Sequence, residues 1–238
     1  MGTASVFRLA SNPRIGHHRV GREDQPLIAI DGVMEDAGKL VDFARSHGGF
    51  TDTMAGLYPG LRAPLPLDYA RAAVGRLDPL IREIYDLGAV KLVKIDCVYS
   101  LVTTPPSALV PFQRIPHIDT SNPLHFAVLH FLCGPPFGGT AFFRQRETGF
   151  ETITPERAAI YEKACGRSLA DDEAAACYIA DGHQAYERIA LFDARWDRML
   201  VYRSNALHSG HIPDPAALSA DPAIGRLTAN IFIGYSPA

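Results

Sequence analysis

The sequence predicts a mainly β protein with flanking helices, in which an antiparallel sandwich or jelly roll is backed by helices. Three observations lead to this fold class. Helical patterns occupy the N-terminal third, about seven short strand patterns follow, and one helical stretch interrupts those strands. Strands and helices therefore do not alternate as they do in parallel α/β sheets. A length of 238 residues suits a single domain, with 1–88 as a helical and loop support and 89–238 as the β core.

The N-terminal support contains two helical patterns and one short strand. Residues 26–31 form an apolar strand, and residues 34–47 carry apolar side chains at helical spacing. Residues 51–67 hold three prolines and two glycines, which indicates an irregular loop. Residues 66–86 are again helical in pattern, with a break expected at Pro79 because proline lacks the N–H that a helix interior needs.

The β core is marked by β-branched and alternating segments from residue 89 onward, separated by prolines and glycines that indicate turns. A helical insertion at about 150–190 begins with Thr154, a capping hydroxyl followed by proline and glutamate. A second helical segment is expected over 170–187. The predicted strands are 90–95, 97–103, 109–119, 126–133, 140–144, 196–202, 206–212 and 227–235.

The composition excludes several classes of function. A formal charge of -3 gives no basic surface for nucleic acid, and no apolar run reaches the roughly 20 residues of a membrane span. The N-terminus lacks the apolar core of a secretory signal. The four cysteines include no Cys-x-x-Cys pair, which suits buried thiols better than disulfides or zinc. We therefore expect a cytoplasmic protein of undetermined oligomeric state that binds neither nucleic acid nor membranes.

A His-x-Asp pair, His117 and Asp119, is the first candidate for chemistry. Side chains two apart on a strand point to the same face, so an imidazole and a carboxylate would converge while Ile118 points away into apolar packing. The alternative is structural, with a carboxylate that hydrogen-bonds a nearby turn beside a half-buried histidine. A metal site here needs a third ligand from a distant strand.

His208 is the preferred third ligand among the nine histidines. It lies three residues from His211, so a strand would turn only one of the two toward the pair. Eighteen residues further on, Arg226 and Thr228 share a strand face, and a guanidinium beside a hydroxyl suits a carboxylate ligand. A surface strand cation is the alternative for Arg226, and Arg203 competes with it for this role.

These motifs together resemble the iron(II)- and 2-oxoglutarate-dependent dioxygenases over residues 90–236. The residues that carry the resemblance are His117, Asp119, His208, Arg226 and Thr228. The pattern is most similar to the prolyl-4-hydroxylase-like branch, where a Gly-Gly-x-x-Phe turn such as 138–142 also occurs. The segments 58–64, 139–144 and 207–211 also resemble an uncharacterised bacterial group in that superfamily.

The resemblance implies a double-stranded β-helix, which is a jelly roll, as the core, with N-terminal helices and a helical insertion. The Fe(II) ligands and catalytic residues that it implies are His117, Asp119 and His208. Arg226 and Thr228 would bind the distal carboxylate of 2-oxoglutarate. Tyr99 is a further candidate for the same role, and its alternative is a core aromatic residue.

The implied reaction consumes O2 and 2-oxoglutarate, releases succinate and CO2, and oxidises an unidentified substrate. Asp119 favours hydroxylation, or desaturation, over halogenation, because related halogenases have a small residue in its place. Arg144 and Arg146 are candidates for meeting an acidic substrate group, or else they are solvated strand residues. The interval from His208 to Arg226 is longer than in the family, which indicates an inserted loop.

Two other classes of function remain open at this point. One is a cupin-like metal-binding protein or metal-dependent enzyme that does not use 2-oxoglutarate, and the other is a degenerate fold that serves as a binding module. An Arg226 aimed at the triad from within the pocket favours the oxygenase over both. A zinc hydrolase is disfavoured because the sequence has no His-Glu-x-x-His motif and no cluster of cysteine ligands.

Overall fold

The computed structural model describes residues 5–52, 58–170, 177–179 and 183–238, without the side chains of residues 168–170. Within those ranges the helices are α1 (Gly38–His47), α2 (Leu67–Ile84) and α3 (Pro155–Ala170). The strands are β1 (Arg14–Val20), β2 (Gln25–Asp31), β3 (Gly60–Pro64), β4 (Val90–Val102), β5 (His125–Phe131), β6 (Gly139–Gln145), β7 (Tyr186–Asp193), β8 (Arg198–Arg203), β9 (His208–His211) and β10 (Arg226–Pro237). None of these helices is long and apolar enough to cross a membrane.

The strands form two antiparallel sheets that enclose an apolar core between them. The larger sheet has the order β1-β2-β8-β5-β10-β4-β3, and the smaller has the order β7-β6-β9. A bridge between His117 and His208 adds the segment before β5 to the edge of the smaller sheet. From β4 onward the chain crosses repeatedly between the sheets. This topology is a double-stranded β-helix, or jelly roll, and it confirms the predicted mainly β fold with flanking helices.

The two faces of the larger sheet have different surroundings. Along β10, Leu227, Ala229 and Ile231 pack into one apolar core with residues of α1 and α2. Arg226 and Thr228 alternate with them, so they point to the other face, toward the space between the sheets. The larger sheet is therefore apolar against the helices and partly polar inside the jelly roll.

The N-terminal third supports the larger sheet with strands as well as helices. β1 and β2 extend one edge of that sheet and β3 forms the other. The sequence indicated only the strand at 26–31, because β1 is largely exposed and lacks apolar alternation. β3 lies inside the predicted loop at 51–67, where it pairs with β4 over its whole length.

Two predictions were wrong in segments that contain prolines. α2 continues unbroken through Pro79, and it packs against the larger sheet through Leu77 and Ile81, so tertiary packing outweighs the lost backbone hydrogen bond. Residues 109–119 do not form a regular strand. A short 3-10 turn occupies Pro111–Arg114, because prolines in this segment cannot donate to a sheet ladder.

The remaining boundaries differ from the predicted ones in simpler ways. Residues 90–103, predicted as two strands, form the single long strand β4. α3 begins at Pro155, next to the predicted cap at Thr154. Half of the second helical segment predicted at 170–187, residues 171–176 and 180–182, lies outside the described residues. The described residues 177–179 and 183–185 are not helical, and 186–187 begin β7.

A buried polar network joins the helices to the larger sheet. His130 on β5 is fully buried, with Nδ1 2.7 Å from the Tyr69 hydroxyl and Nε2 2.9 Å from Asp197 Oδ1. The Asp197 carboxylate also accepts a hydrogen bond from the backbone N–H of Met34. α2, β5 and the turn before β8 are thus held in register by side chains that water does not reach.

Asp197→Ala should lower the free energy of unfolding by about 2–4 kcal/mol, because His130 and Met34 would lose a buried acceptor. Urea denaturation followed by circular dichroism measures this change. The control is Asp193→Ala, an exposed carboxylate at the end of β7, which should stay within about 0.5 kcal/mol of the parent. Equal losses in the two variants would show that the network contributes nothing specific.

Candidate metal centre

Three side chains that could bind a metal ion converge beside the edge of the smaller sheet. They are His117, Asp119 and His208, whose potential ligand atoms all lie within 4.8 Å of one another. Nε2 of His117 is 4.0 Å from Oδ1 of Asp119, and Nε2 of His208 is 3.9 Å from Oδ2 of the same carboxylate. The structure therefore brings together the three residues that the sequence selected.

Backbone hydrogen bonds fix the relative positions of these residues. The N–H of His117 donates to the carbonyl of His208 at 2.9 Å, and the N–H of His208 donates back at 3.0 Å. The N–H of Asp119 donates to the carbonyl of Ser204 at 2.9 Å. Although residues 109–119 are not a regular strand, this local bridge supplies the same-side placement that a strand would have given.

Further hydrogen bonds orient the side chains. Nδ1 of His208 donates to the carbonyl of Ala206 at 2.9 Å, which leaves the Nε2 lone pair directed at the group. The Ser204 hydroxyl is hydrogen-bonded to Asp119 and lies 2.8 Å from Nδ1 of His125. Ser204 and His125 were not selected from the sequence, since each is an ordinary residue until the fold places it behind Asp119.

The protonation states of the two histidines suit metal binding. Burial lowers the pKa of His208 to about 4, and desolvation together with the neighbouring His208 also lowers the pKa of the half-exposed His117. Burial raises the pKa of Asp119. The His117 side chain is 53% exposed and marks the open side of the group, whereas His208 is 7% exposed at the inner side. Two neutral imidazoles and one carboxylate are the donor set of the non-haem iron(II) facial triad.

Arg226 lies on the same side of β9 as the three residues. His208 and Gly210 are two apart on β9 and share a face. A Cβ placed on Gly210 would be 3.6 Å from Nη2 of Arg226. The guanidinium therefore lies beside the position two residues along β9 from His208.

The charge of Arg226 is buried without an ionic partner among the described residues. Its residue is 4% exposed, and its Nε and Nη2 donate to the backbone carbonyls of Phe137 and Gly139 at 3.1 and 2.7 Å. A guanidinium has five N–H donors, so several remain for a ligand. Thr228 is buried beside it, and its hydroxyl donates to the carbonyl of Ser100 at 3.4 Å.

Thr140 is a further polar side chain in this space that the sequence analysis did not select. It pairs with Gly210 across β6 and β9, one pleat from the pair that joins Phe142 and His208. Its hydroxyl is buried and has no hydrogen-bond partner among the described residues. The predicted Gly-Gly-x-x-Phe turn contains this threonine, and strand alternation from Phe142 could have indicated its direction.

Two residues considered for cofactor binding point elsewhere. Tyr99 is fully buried on the helix-packed face of the larger sheet, where its hydroxyl donates to the carbonyl of Leu40 at 2.8 Å. Arg203 lies on the same face, with its guanidinium over the rings of Tyr85 and Phe126. Tyr99 therefore does not reach the space between the sheets, which corrects the expectation for it, and Arg226 rather than Arg203 faces that space.

The neighbour of Tyr99, Ser100, takes the inward position instead. Its hydroxyl accepts from Nδ2 of Asn230 at 3.2 Å and is hydrogen-bonded to the Tyr58 hydroxyl. Burial raises the pKa of Tyr58, while the charges of Arg226 and Arg62 act to lower it. Tyr58, from the segment predicted as an irregular loop, therefore lies near the buried cation in place of Tyr99.

Arg144 and Arg146, the candidates for an acidic substrate group, are not placed for that role. Arg144 is buried and forms ion pairs with Glu151 and Glu187. Glu151 in turn accepts from the backbone N–H of Arg22 at 3.0 Å, which ties the β1–β2 turn to this ion pair. Arg146 is exposed at the end of β6.

Comparison with families and structures places these findings among known proteins. A model of a family of unknown function, DUF6445, matches residues 11–233. Comparison with curated proteins gives no match. Similar solved structures include SnoN, a non-haem α-ketoglutarate-dependent epimerase from nogalamycin biosynthesis, at 13% identity, over 89% of this chain and 78% of that chain, with a TM-score of 0.48.

Two further solved structures have lower scores. Iron-bound HygX from Streptomyces hygroscopicus is 12% identical over 91% of this chain and 84% of that chain, with a TM-score of 0.43. An N-substituted L-amino acid dioxygenase from Burkholderia ambifaria is 12% identical over 88% of this chain and 81% of that chain, with a TM-score of 0.37.

The depressed pKa of His208 predicts a loss of stability in acid. In the unfolded chain His208 is protonated below its ordinary pKa of 6.5, whereas in the folded chain it is protonated only below about pH 4. The free energy of unfolding therefore decreases as the pH is lowered from 6.5 to 4. In chelator-treated protein, the decrease in the free energy of unfolding from pH 7 to pH 4 should be smaller by about 2–3 kcal/mol in His208→Gln than in the parent. Urea denaturation at pH 7, 6, 5 and 4 measures it. The exposed His17→Gln should retain the parent slope, and superimposable slopes for His208→Gln and the parent would contradict the assignment.

Proposed function

We propose that this chain, which belongs to a family of unknown function (DUF6445), is an iron(II)- and 2-oxoglutarate-dependent oxygenase. The observation that carries the proposal is that two sets of residues face the same space inside the jelly roll. His117, Asp119 and His208 offer a facial triad, and Arg226 offers a buried cation without an ionic partner among the described residues. The triad alone would suit many kinds of metal enzyme. The nearby cation narrows these candidates to enzymes that bind an anionic ligand next to the metal.

The residues present fit both groups that the reaction needs. Two neutral imidazoles with free Nε2 atoms and one carboxylate would hold iron(II), which would supply the activation of O2 and the oxidative decarboxylation of 2-oxoglutarate to succinate and CO2. Arg226 would hold the distal carboxylate of 2-oxoglutarate, beside the position two residues along β9 from His208. The hydroxyl of Thr140, which has no hydrogen-bond partner among the described residues, lies on the same face and would donate to the same cosubstrate.

The protein contributes binding, orientation and exclusion of water. Arg226 is already held by the carbonyls of Phe137 and Gly139, so its fork loses little freedom when a carboxylate binds. Tyr58 and Tyr178 cover this end of the interior in a small apolar cluster, and the Tyr178 hydroxyl donates to the carbonyl of Thr104 at 2.6 Å. A covered, mostly apolar space strengthens each ionic contact inside it.

The finer reaction type follows from Asp119. Because a carboxylate occupies this ligand position, we infer hydroxylation or desaturation of a carbon centre, and not halogenation. We also propose that residues 1–238 act as one domain, since α1 and α2 share an apolar core with the larger sheet that carries Arg226.

A metal enzyme that does not use 2-oxoglutarate is the second candidate. The observation that favours it is that Arg226 already makes two hydrogen bonds to backbone carbonyls, as a purely structural tether would. The two functions differ in whether 2-oxoglutarate binds next to the metal, and the following two experiments decide between them.

Anaerobic addition of iron(II) and 2-oxoglutarate should produce the weak visible charge-transfer band of the bound chelate. Asp119→Ala and His208→Ala should abolish the band, because each removes one of three ligands, while the exposed His17→Ala should retain it. Absorption spectroscopy under nitrogen measures the band. A folded, iron-loaded parent protein without the band would overturn the oxygenase proposal in favour of the second candidate.

Arg226→Gln should weaken 2-oxoglutarate binding by roughly 10- to 100-fold while iron binding changes little, because the lost contact is a charge-assisted hydrogen-bond pair. Titration of the visible band with 2-oxoglutarate gives the affinity. Arg203→Gln is the matched control, since that arginine packs on the opposite face of the larger sheet. Equal weakening in both variants, or loss of iron together with 2-oxoglutarate, would show that Arg226 is a tether.

A further inference from the structure

A second inward-facing arginine, Arg62 on β3, has no role in the proposed chemistry so far. Arg62 pairs with Ser100 across β3 and β4, so the two side chains share the face that looks into the jelly roll. Gly60 makes this pairing possible, because a Cβ there would lie 2.1 Å from the carbonyl oxygen of Leu101. The Tyr58–Pro64 segment thus places the guanidinium of Arg62 next to β4.

The guanidinium of Arg62 is held in place by an aromatic ring, and none of the ion pairs within the described ranges includes it. It lies over the ring of Tyr58, 4.7 Å from the centroid, in a cation–π contact. Its Nε is buried and has no hydrogen-bond partner among the described residues. Asn230, which is hydrogen-bonded to Ser100 through Nδ2, has a buried Oδ1 that also lacks a partner in the described part of the chain.

Arg62 also lies near the interior that Arg226 faces. It is opposite Ser100 on β4, and Ser100 is opposite Thr228 on β10, two residues from Arg226. The guanidinium of Arg226 is turned toward Gly139 and Gly210 of the smaller sheet, whereas that of Arg62 lies over Tyr58. Two cations therefore approach the interior from different strands, and one distal carboxylate of 2-oxoglutarate requires only one of them.

We propose that Arg62 binds a carboxylate of the substrate that is oxidised, which makes the substrate an organic acid. The inference rests on the proposed function, because it assigns 2-oxoglutarate to Arg226. Nε and one terminal nitrogen of Arg62 donate to the two carboxylate oxygens, and Oδ1 of Asn230 accepts from an N–H or O–H near that carboxylate. The ring of Tyr58 holds the guanidinium through the cation–π contact and contacts the adjacent apolar part of the substrate.

Ligand-observed relaxation tests this assignment with simple probes. The full chain is loaded with Mn(II) and saturating 2-oxoglutarate, so that Arg226 is occupied and the paramagnetic ion marks the centre. Proton relaxation is then measured for hippurate, for its neutral amide hippuramide, and for phenyl phosphate. Hippurate should be relaxed selectively, with an affinity roughly tenfold or more above that of hippuramide, because one charge-assisted pair distinguishes them.

Variants of Arg62 separate recognition from folding. Arg62→Gln should reduce the hippurate affinity to that of hippuramide and leave the hippuramide affinity within about twofold, whereas Arg62→Lys should retain part of the preference. Arg146→Gln, at an exposed arginine in the turn after β6, should behave as the parent. Equal relaxation by acid and amide in the parent, a preference for phenyl phosphate over hippurate, or parallel losses of both probes in Arg62→Gln would each overturn the proposal.

The visible band of the iron(II) and 2-oxoglutarate chelate keeps this test distinct from the test of the proposed function. If Arg62→Gln retains the band and loses the preference for hippurate, both inferences stand. If the parent shows the band but no preference for the acid, only the assignment of Arg62 fails. If the parent lacks the band, the oxygenase proposal itself fails.

Discussion

The reciprocal backbone hydrogen bonds between His117 and His208 are the contact on which the site depends. They join a segment without regular structure to the edge of the smaller sheet, and in doing so they bring residues 91 positions apart in sequence into one group. Asp119 follows because its own N–H is bound by the carbonyl of Ser204. The ligand geometry is thus set by main-chain bonds, and the side chains require only short hydrogen bonds to complete it.

The arginines of this protein differ in how their buried charges are compensated. Arg144 is buried between Glu151 and Glu187, so its charge is neutralised within the fold. Arg226 is equally buried, yet its hydrogen bonds to described residues go to neutral carbonyls. A buried cation without a counter-charge is costly, and a bound anion would remove that cost. The distinction cannot be read from sequence, because all these arginines lie on strands.

The sequence predicted the fold class correctly and selected three side chains that the fold brings together. It failed where a shift of one residue along a strand, or a long-range pairing between strands, determines the position of a side chain. The fold class followed from the order of strands and helices, and the convergence of His117 with His208 followed from the choice of ligand types. Tyr99 was selected for its hydroxyl, but it is one residue out of phase with Arg226 and Thr228 across the β4–β10 pairing. A shift of one residue reverses the face of a strand, and composition does not reveal it.

Other features could not be predicted from the sequence because contacts between distant segments of the chain determine them. Pro79 is tolerated in α2 since the apolar stripe on either side is anchored to the larger sheet. β1 is an exposed edge strand, so it lacks the apolar alternation that marks β10. Tyr58 and Arg62 sit in a segment rich in turn residues, and only the pairing of β3 with β4 shows that the segment is a strand that faces inward.

Charge balance connects the two proposed anion sites. A divalent metal with the carboxylate of Asp119 would leave one net positive charge, and Arg226 would add another, so the two carboxylates of 2-oxoglutarate would neutralise that part of the interior. Arg62, which faces the same interior opposite Ser100, would then remain as an additional cation. In a space of low dielectric constant an uncompensated charge disfavours the closed complex, and a substrate carboxylate removes that cost. Neutral substrates would leave Arg62 unpaired at the moment when the site must exclude water, so the same electrostatics that favour binding of 2-oxoglutarate also favour an acid as its co-substrate.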